Sequence, residues 1–104
     1  MQIQINYGDI KGSEAVDEHI QDRVGKALSS VAKQVTRIEV HLRDDKQKRD
    51  AHDDKRCKIE VRISGIDPFV VEDRGSDIYA VISSAAEKVK RIARREADKR
   101  HAHR

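Results

Sequence analysis

Apolar and polar residues alternate along three stretches of the chain, and this period of two is typical of half-buried β-strands. The alternation covers residues 3–7, 37–43 and 57–63. A short apolar run at residues 69–71 predicts a fourth strand that ends before Arg74. Since each alternating stretch has one apolar face, the pattern predicts a sheet with one buried side.

Two longer stretches carry apolar residues at helical spacing, which predicts two amphipathic helices. The first helix is expected to begin after Ser13, a good N-cap residue, and to continue to about residue 33. The second helix is expected to begin after a Ser76 cap and to continue to about Lys99. Residues 44–55 contain no large apolar residue and are predicted to form a loop.

The predicted order of elements is β-α-β-β-β-α, which favours an α+β fold. The most economical packing is a two-layer sandwich with two helices on one face of a four-stranded mixed sheet. The last three strands should form an antiparallel meander, while the helix after the first strand lets that strand pair in parallel. Residues 1–99 are expected to form one domain, and residues 100–104 a frayed basic tail. Ten residues are predicted to be buried: Val16, Ile20, Val24, Leu28, Ile38, Val40, Ile59, Val61, Ile82 and Val89.

The composition is that of a small single domain with a thin core. The chain has 104 residues, and single domains cluster at roughly 100–150. Isoleucine, valine, leucine and phenylalanine account for 24 of them, just above the roughly one-fifth below which highly charged chains stay disordered. No run approaches the ~20 apolar residues of a membrane span, and no apolar signal segment follows Met1. A single cysteine makes no internal disulfide, so the chain is expected to be cytoplasmic.

Positive charge is concentrated at one end of the chain. Residues 87–104 hold eight lysines and arginines against three acidic residues, whereas the first 86 residues hold 14 basic and 16 acidic side chains. A basic segment next to a slightly acidic body favours a polyanionic partner, most often a nucleic acid.

Lysines and arginines flank the apolar faces of both predicted helices. On a helical wheel, four of those on the second helix fall within about 80° of one another, with few acidic residues within one turn. Rows of this kind can follow phosphates, although a solvated helix face is an equally compatible interpretation. The residues are Lys88, Arg91, Arg95 and Lys99 in the stripe, Lys90 and Arg94 on the far side of the second helix, and Arg23, Lys26 and Lys33 on the first helix.

The remaining reactive residue types form no catalytic or metal-binding pattern. Residues 44–55 hold five aspartates, but the basic residues among them favour a solvated loop over a metal site. His101 and His103 could bind a stray metal ion, yet they fall in the predicted tail. Cys57 takes an inward strand position and is expected to be a buried thiol. Tyr79 lies at the edge of the apolar stripe, where it either packs on the core or stacks on a base.

Two motifs resemble the ribosome hibernation promoting factors, the family of protein Y, which is also known as the sigma-54 modulation protein family. The second-helix motif is Asp77-Ile78-Tyr79-Ala80-Val81-Ile82 followed by Lys88, Arg91 and Arg95, and the first-helix motif combines Ser13-Glu14-Ala15-Val16 with residues 19–26, HIQDRVGK. The resemblance covers about residues 1–98 and is to the short form of the family.

The resemblance implies a function as well as a fold. It implies binding to ribosomal RNA of the small ribosomal subunit, in the channel used by messenger and transfer RNA, so that translation is silenced and idle ribosomes are preserved. The implied RNA contacts are Arg23, Lys26, Lys88, Arg91 and Arg95; Lys99 continues the same stripe, and Tyr79, Lys33, Lys90 and Arg94 are further candidates. We expect no catalytic residue, metal, cofactor, membrane or small-molecule substrate, and a monomer away from the ribosome.

Three alternatives stay open on the sequence. The first is another RNA-binding module, such as a double-stranded RNA-binding domain. The second is a protein-binding regulator that keeps this fold without binding ribosomes, through acidic residues 9–22 or the charged loop. An enzyme is the third, and no motif supports it.

Overall fold

The computed structural model describes residues 1–45 and 55–102, with side chains up to Lys99. The predicted loop, with the expectation that it binds no metal, falls largely on residues 46–54 and so outside the described residues. The elements are β1 (Ile3–Asn6), α1 (Glu14–Ala27), a short 3-10 helix (Ser29–Val31), β2 (Val35–Asp44), β3 (Lys55–Ile63), β4 (Phe69–Gly75) and α2 (Ile78–Ala102).

The four strands form one mixed sheet in the order β1-β2-β3-β4. Strand β1 pairs in parallel with β2, and the pairs β2–β3 and β3–β4 are antiparallel. Helix α2 packs against α1, β3 and β4, and both helices bury their apolar faces in the same core. The predicted α+β sandwich, with its parallel first strand and antiparallel meander, is confirmed.

The core lies between the sheet and the two helices. All ten residues predicted to be buried are buried, and Ile20, Ile38 and Ile82 are completely inaccessible to solvent. Each such side chain stabilises the fold by about 1.5–3 kcal/mol through burial of apolar surface. Because this core covers one face of the sheet only, most of the charged residues of β2 and β3 lie on the other face.

Helix α1 begins as predicted but ends earlier than predicted. The Ser13 hydroxyl accepts a hydrogen bond from the Val16 N–H at 3.1 Å, which confirms the N-cap. The helix ends at Ala27 instead of about residue 33, and Ser29 donates its hydroxyl to the Lys26 carbonyl. That contact satisfies a carbonyl at the helix end. Lys33 therefore lies in the turn before β2 and not on α1.

Strands β2, β3 and β4 are longer than predicted, because polar residues at their ends pair across strands. Strands β2 and β3 extend into the predicted loop, where Lys55 Nζ lies 2.9 Å from Asp44 Oδ2. Strand β4 continues to Gly75.

The ends of α2 also differ from the prediction. Its N-cap is Asp77 and not Ser76, since the Asp77 carboxylate accepts the Tyr79 N–H at 3.0 Å. The helix continues to Ala102, past Ala93, the last of its side chains in the buried core. Residues 103–104, the end of the predicted tail, lie outside the described residues.

One turn requires glycine. Gly8 follows β1 with a φ of 55°, a left-handed conformation that side chains with a Cβ rarely adopt. A Cβ at this position would lie 2.6 Å from the Leu42 carbonyl oxygen. The turn thus brings the chain close to β2 before it enters α1.

Candidate nucleic-acid interface

Contacts between α1 and α2 fix which sides of the two helices face each other. The His19 Nε2 atom lies 3.0 Å from the Tyr79 carbonyl oxygen and 2.9 Å from Ser83 Oγ. The Tyr79 ring meets the His19 imidazole edge-on, with ring centres 5.2 Å apart, and remains 39% exposed. Tyr79 is therefore a surface residue that packs on its neighbour helix and is not part of the core.

Four basic residues border the junction between the helices, and we call them the junction row: Arg23, Lys26, Lys90 and Arg94. Residues three, four or seven positions apart lie on the same side of a helix. Arg23 and Lys26 therefore share the side of α1 on which His19 reaches α2. Lys90 and Arg94 likewise follow Ser83 along the side of α2 that faces α1. All four are exposed.

Four further basic residues of α2 form an outer row, which begins on the flank that faces β4: Lys88, Arg91, Arg95 and Lys99. Lys88 identifies this flank, since its ammonium donates to the Glu72 carbonyl at 2.9 Å and lies 3.6 Å from the Asp73 carboxylate. Ser84 on the same flank donates its hydroxyl to Asp73. The structure thus divides the predicted basic residues between two rows and joins Lys90 and Arg94 to the residues of α1.

Acidic residues lie closer to several of these cations than predicted. Asp22 is 3.1 Å from Lys26 and 3.7 Å from Arg23, and Glu96 is 3.5 Å from Lys99 and 3.7 Å from Arg95. These basic side chains are more than half exposed, and exposed pairs contribute about 0–1 kcal/mol. A phosphate can therefore replace the acid at little cost.

Three cations have no such neighbour within the described part of the chain: Lys90, Arg91 and Arg94. They lie at the middle of α2, and Arg91 and Arg94 line a shallow surface hollow with Arg95, Asp98 and Lys99. The charge most available to a polyanion is therefore on the exposed side of α2, where Lys90 and Arg94 of the junction row lie beside Arg91 of the outer row.

Cys57 is buried, as predicted, and is not activated. Its side chain is completely inaccessible on the inner face of β3. Burial, together with the negative charge of Asp73, raises the pKa of the Cys57 thiol to about 12. A nucleophilic cysteine requires the opposite shift, because the thiolate is the reactive form.

One group of side chains on the open face of the sheet was not expected from the sequence. Glu39 and His41 on β2 point to the same face, and Glu60 on β3 is the cross-strand partner of Glu39. Their ligand atoms all lie within 4.8 Å of one another. The i, i+2 spacing of Glu39 and His41 was a visible signal, but the register of β3 is needed to add Glu60.

Comparison with known proteins identifies the family. The sequence profile of the sigma 54 modulation protein / S30EA ribosomal protein family matches residues 3–101. The chain belongs to this family. The family resemblance of the two helix motifs is thereby confirmed, and the match decides against a double-stranded RNA-binding domain. The family is one of ribosome-associated factors and is not a known enzyme family.

Solved structures share the fold of this S30EA family member at low sequence identity. A ribosomal subunit interface protein from Coxiella burnetii is 15% identical, with a TM-score of 0.75 and coverage of 97% of this chain and 99% of that one. The N-terminal domain of Thermus thermophilus Protein Y is 18% identical, with a TM-score of 0.74 and coverage of 91% and 98%. No curated protein sequence gives a significant match. None of the helices in the described part of the chain is both long and apolar enough to cross a membrane.

Proposed function

We propose that this protein binds ribosomal RNA of the small ribosomal subunit near the messenger and transfer RNA channel and silences idle ribosomes. Membership of the S30EA family supports association with the ribosome. The observation that carries the proposal is the basic surface of α2, where Lys90, Arg91 and Arg94 have no acidic group within ion-pair distance among the described residues. The proposed site of action is the cytoplasm.

Binding would rest on phosphate contacts. The outer row places Arg91, Arg95 and Lys99 at intervals of four residues, about 6 Å apart along the helix axis. Each lysine or arginine that neutralises a phosphate releases condensed counterions, and this release favours binding. The junction row adds cations from α1 beside those of α2, so one RNA strand could contact both helices.

Silencing would follow from occupation of the channel. A folded domain bound there excludes messenger and transfer RNA by volume and by competing for the same phosphates. This mechanism requires no catalytic group, in keeping with the buried and unreactive state of Cys57. We further propose that residues 1–99 bind as one domain and that the protein is a monomer away from the ribosome.

The test is co-sedimentation with purified small subunits across a salt series, together with inhibition of a cell-free translation reaction. The logarithm of the affinity should fall linearly with the logarithm of the salt concentration, with a slope of about −0.7 to −0.9 per phosphate neutralised. Replacing Lys88, Arg91 and Arg95 together by Ala should flatten this slope by about two to three units. Replacing Lys90 and Arg94 should flatten it by about one to two units if the junction row also takes part.

A matched control removes three exposed cations from the open face of the sheet: Arg43, Lys58 and Arg62, each to Ala. This variant loses the same charge as the α2 triple variant but should keep the salt slope of the parent. If the salt slope flattened equally in both variants, net charge and not the helix surface would drive binding. Failure of the parent to bind at low salt would overturn the proposal and favour a protein-binding regulator.

A further inference from the structure

The open face of the sheet brings three potential metal ligands together. His41 Nε2 lies 3.1 Å from Glu60 Oε2 and 3.6 Å from Glu39 Oε2. Among the described residues, this is the one group in which three such side chains approach within 4.8 Å. It lies on the face of the sheet opposite the helices and their basic rows, so the proposed function does not use it.

Two of the three separations are close to those between ligands of a tetrahedral metal ion. Zinc binds histidine nitrogen and carboxylate oxygen at about 2.0–2.2 Å, which places two tetrahedral ligands about 3.3–3.6 Å apart. The measured distances of 3.1 and 3.6 Å from the imidazole to the two carboxylates fall close to that range. An ion could therefore enter between the three side chains with only small side-chain movements.

Arg37 orients one of the ligands. Arg37 donates to Oε1 of Glu39, which leaves Oε2 directed towards His41. Second-layer contacts of this kind orient ligands and tune metal affinity.

The two glutamates face each other across adjacent strands, an arrangement that destabilises a sheet unless a cation lies nearby. Arg37 pairs with Glu39 but is not within ion-pair distance of Glu60. A divalent ion between the two carboxylates would offset their repulsion. The partial exposure of His41, Glu39 and Glu60 leaves room for water as a fourth ligand.

We propose that Glu39, His41 and Glu60 bind a divalent transition-metal ion of the zinc class. One imidazole and two carboxylates favour Zn²⁺ or Co²⁺ over Mg²⁺ and Ca²⁺, which prefer oxygen ligands only. The ion binds the deprotonated Nε2 of His41 and one oxygen of each glutamate, with water at the fourth position.

The test uses the full chain with His101 and His103 replaced by Ala, so that these two histidines cannot bind the metal. After removal of metal with a chelator, Zn²⁺ is titrated by calorimetry at neutral pH. Co²⁺ is titrated in parallel, because its visible absorption reports tetrahedral coordination. We expect one equivalent of metal per chain and a tetrahedral Co²⁺ spectrum.

Loss of a residue that only orients a ligand typically weakens metal affinity by about 10–100-fold. Removal of a ligand itself should weaken zinc binding by at least that much. His41→Ala and Glu60→Gln should both show this loss, whereas Glu72→Gln, on the same face but outside the group, should bind like the parent. Zinc should raise the melting temperature of the parent and of Glu72→Gln only. Unchanged affinity in His41→Ala, a non-tetrahedral Co²⁺ spectrum, or no binding of Zn²⁺ by the parent would each overturn the proposal.

Discussion

Cys57 should be almost inert towards thiol reagents in the folded protein. An exposed thiol with a pKa of about 8.5 is about one-quarter thiolate near pH 8. With its pKa raised to about 12, Cys57 is thiolate in about one molecule in ten thousand at that pH. Ionisation alone therefore slows its reaction by about 2,000-fold, and its complete burial adds a barrier to access.

The assay follows the colour released from an aromatic disulfide reagent near pH 8, with and without urea. The unfolded chain should react at the rate of a free thiol, whereas the native chain should react only as fast as it unfolds. Cys57→Ala is the control and should release no colour. A native rate within about tenfold of the unfolded rate would refute both the burial of this thiol and its raised pKa.

The raised pKa of the Cys57 thiol also predicts a loss of folding stability at alkaline pH. Because burial raises the pKa of Cys57, the buried neutral thiol stabilises the fold fully below the unfolded pKa of about 8.5. This contribution is lost as the pH rises towards the folded value of about 12. Between these limits the free energy of unfolding should fall by up to about 1.4 kcal/mol per pH unit. Cys57→Ala should show a shallower alkaline decline in urea titrations.

Three further substitutions test the fold. Ile82→Ala should lower the free energy of unfolding in urea by about 2–5 kcal/mol, because Ile82 is completely buried; a loss below 1 kcal/mol would contradict that packing. Gly8→Ala should lower it by about 1–3 kcal/mol, since the backbone is left-handed there and the new Cβ would press on the Leu42 carbonyl. The hydrogen bond from Arg56 lowers the pKa of Glu72, so the stability that this pair contributes is present above about pH 4.3 and is lost below it. The urea midpoint of Glu72→Gln should therefore fall less on acidification than that of the parent.

The order of elements was predictable because each helix and strand has its own apolar period. The end of α1 was not, since Val31 remains in phase with the apolar face beyond the last helical residue, Ala27. Strand β4 was predicted too short because its polar second half is held by pairing with β3, where Lys58 faces Glu72. Apolar periodicity carries no information on such cross-strand partners.

The angular positions of the basic residues around α2 were predictable from the sequence, but the residues that they contact were not. The helical wheel places Lys88 in the basic stripe, yet only the packing of α2 on β4 brings it to the Glu72 carbonyl. The division into two rows depends in the same way on the contact of His19 with Ser83, residues far apart in the sequence. The contacts between residues far apart in the sequence are therefore the part of the interface that could not be predicted from the sequence alone.

The length of α2 has a thermodynamic consequence for any partner. Among the described side chains Ala93 is the last in the buried core, and the helix continues to Ala102, about 13 Å further. Helix propagation without tertiary packing adds almost no free energy per residue, so the backbone amides of this segment should exchange with solvent far faster than those around Val89. A ligand that engages Arg94, Arg95 or Lys99 must therefore also hold this segment helical. Its affinity should weaken with temperature faster than phosphate contacts alone would require, because ordering each backbone residue costs about 1–2 kcal/mol of entropy.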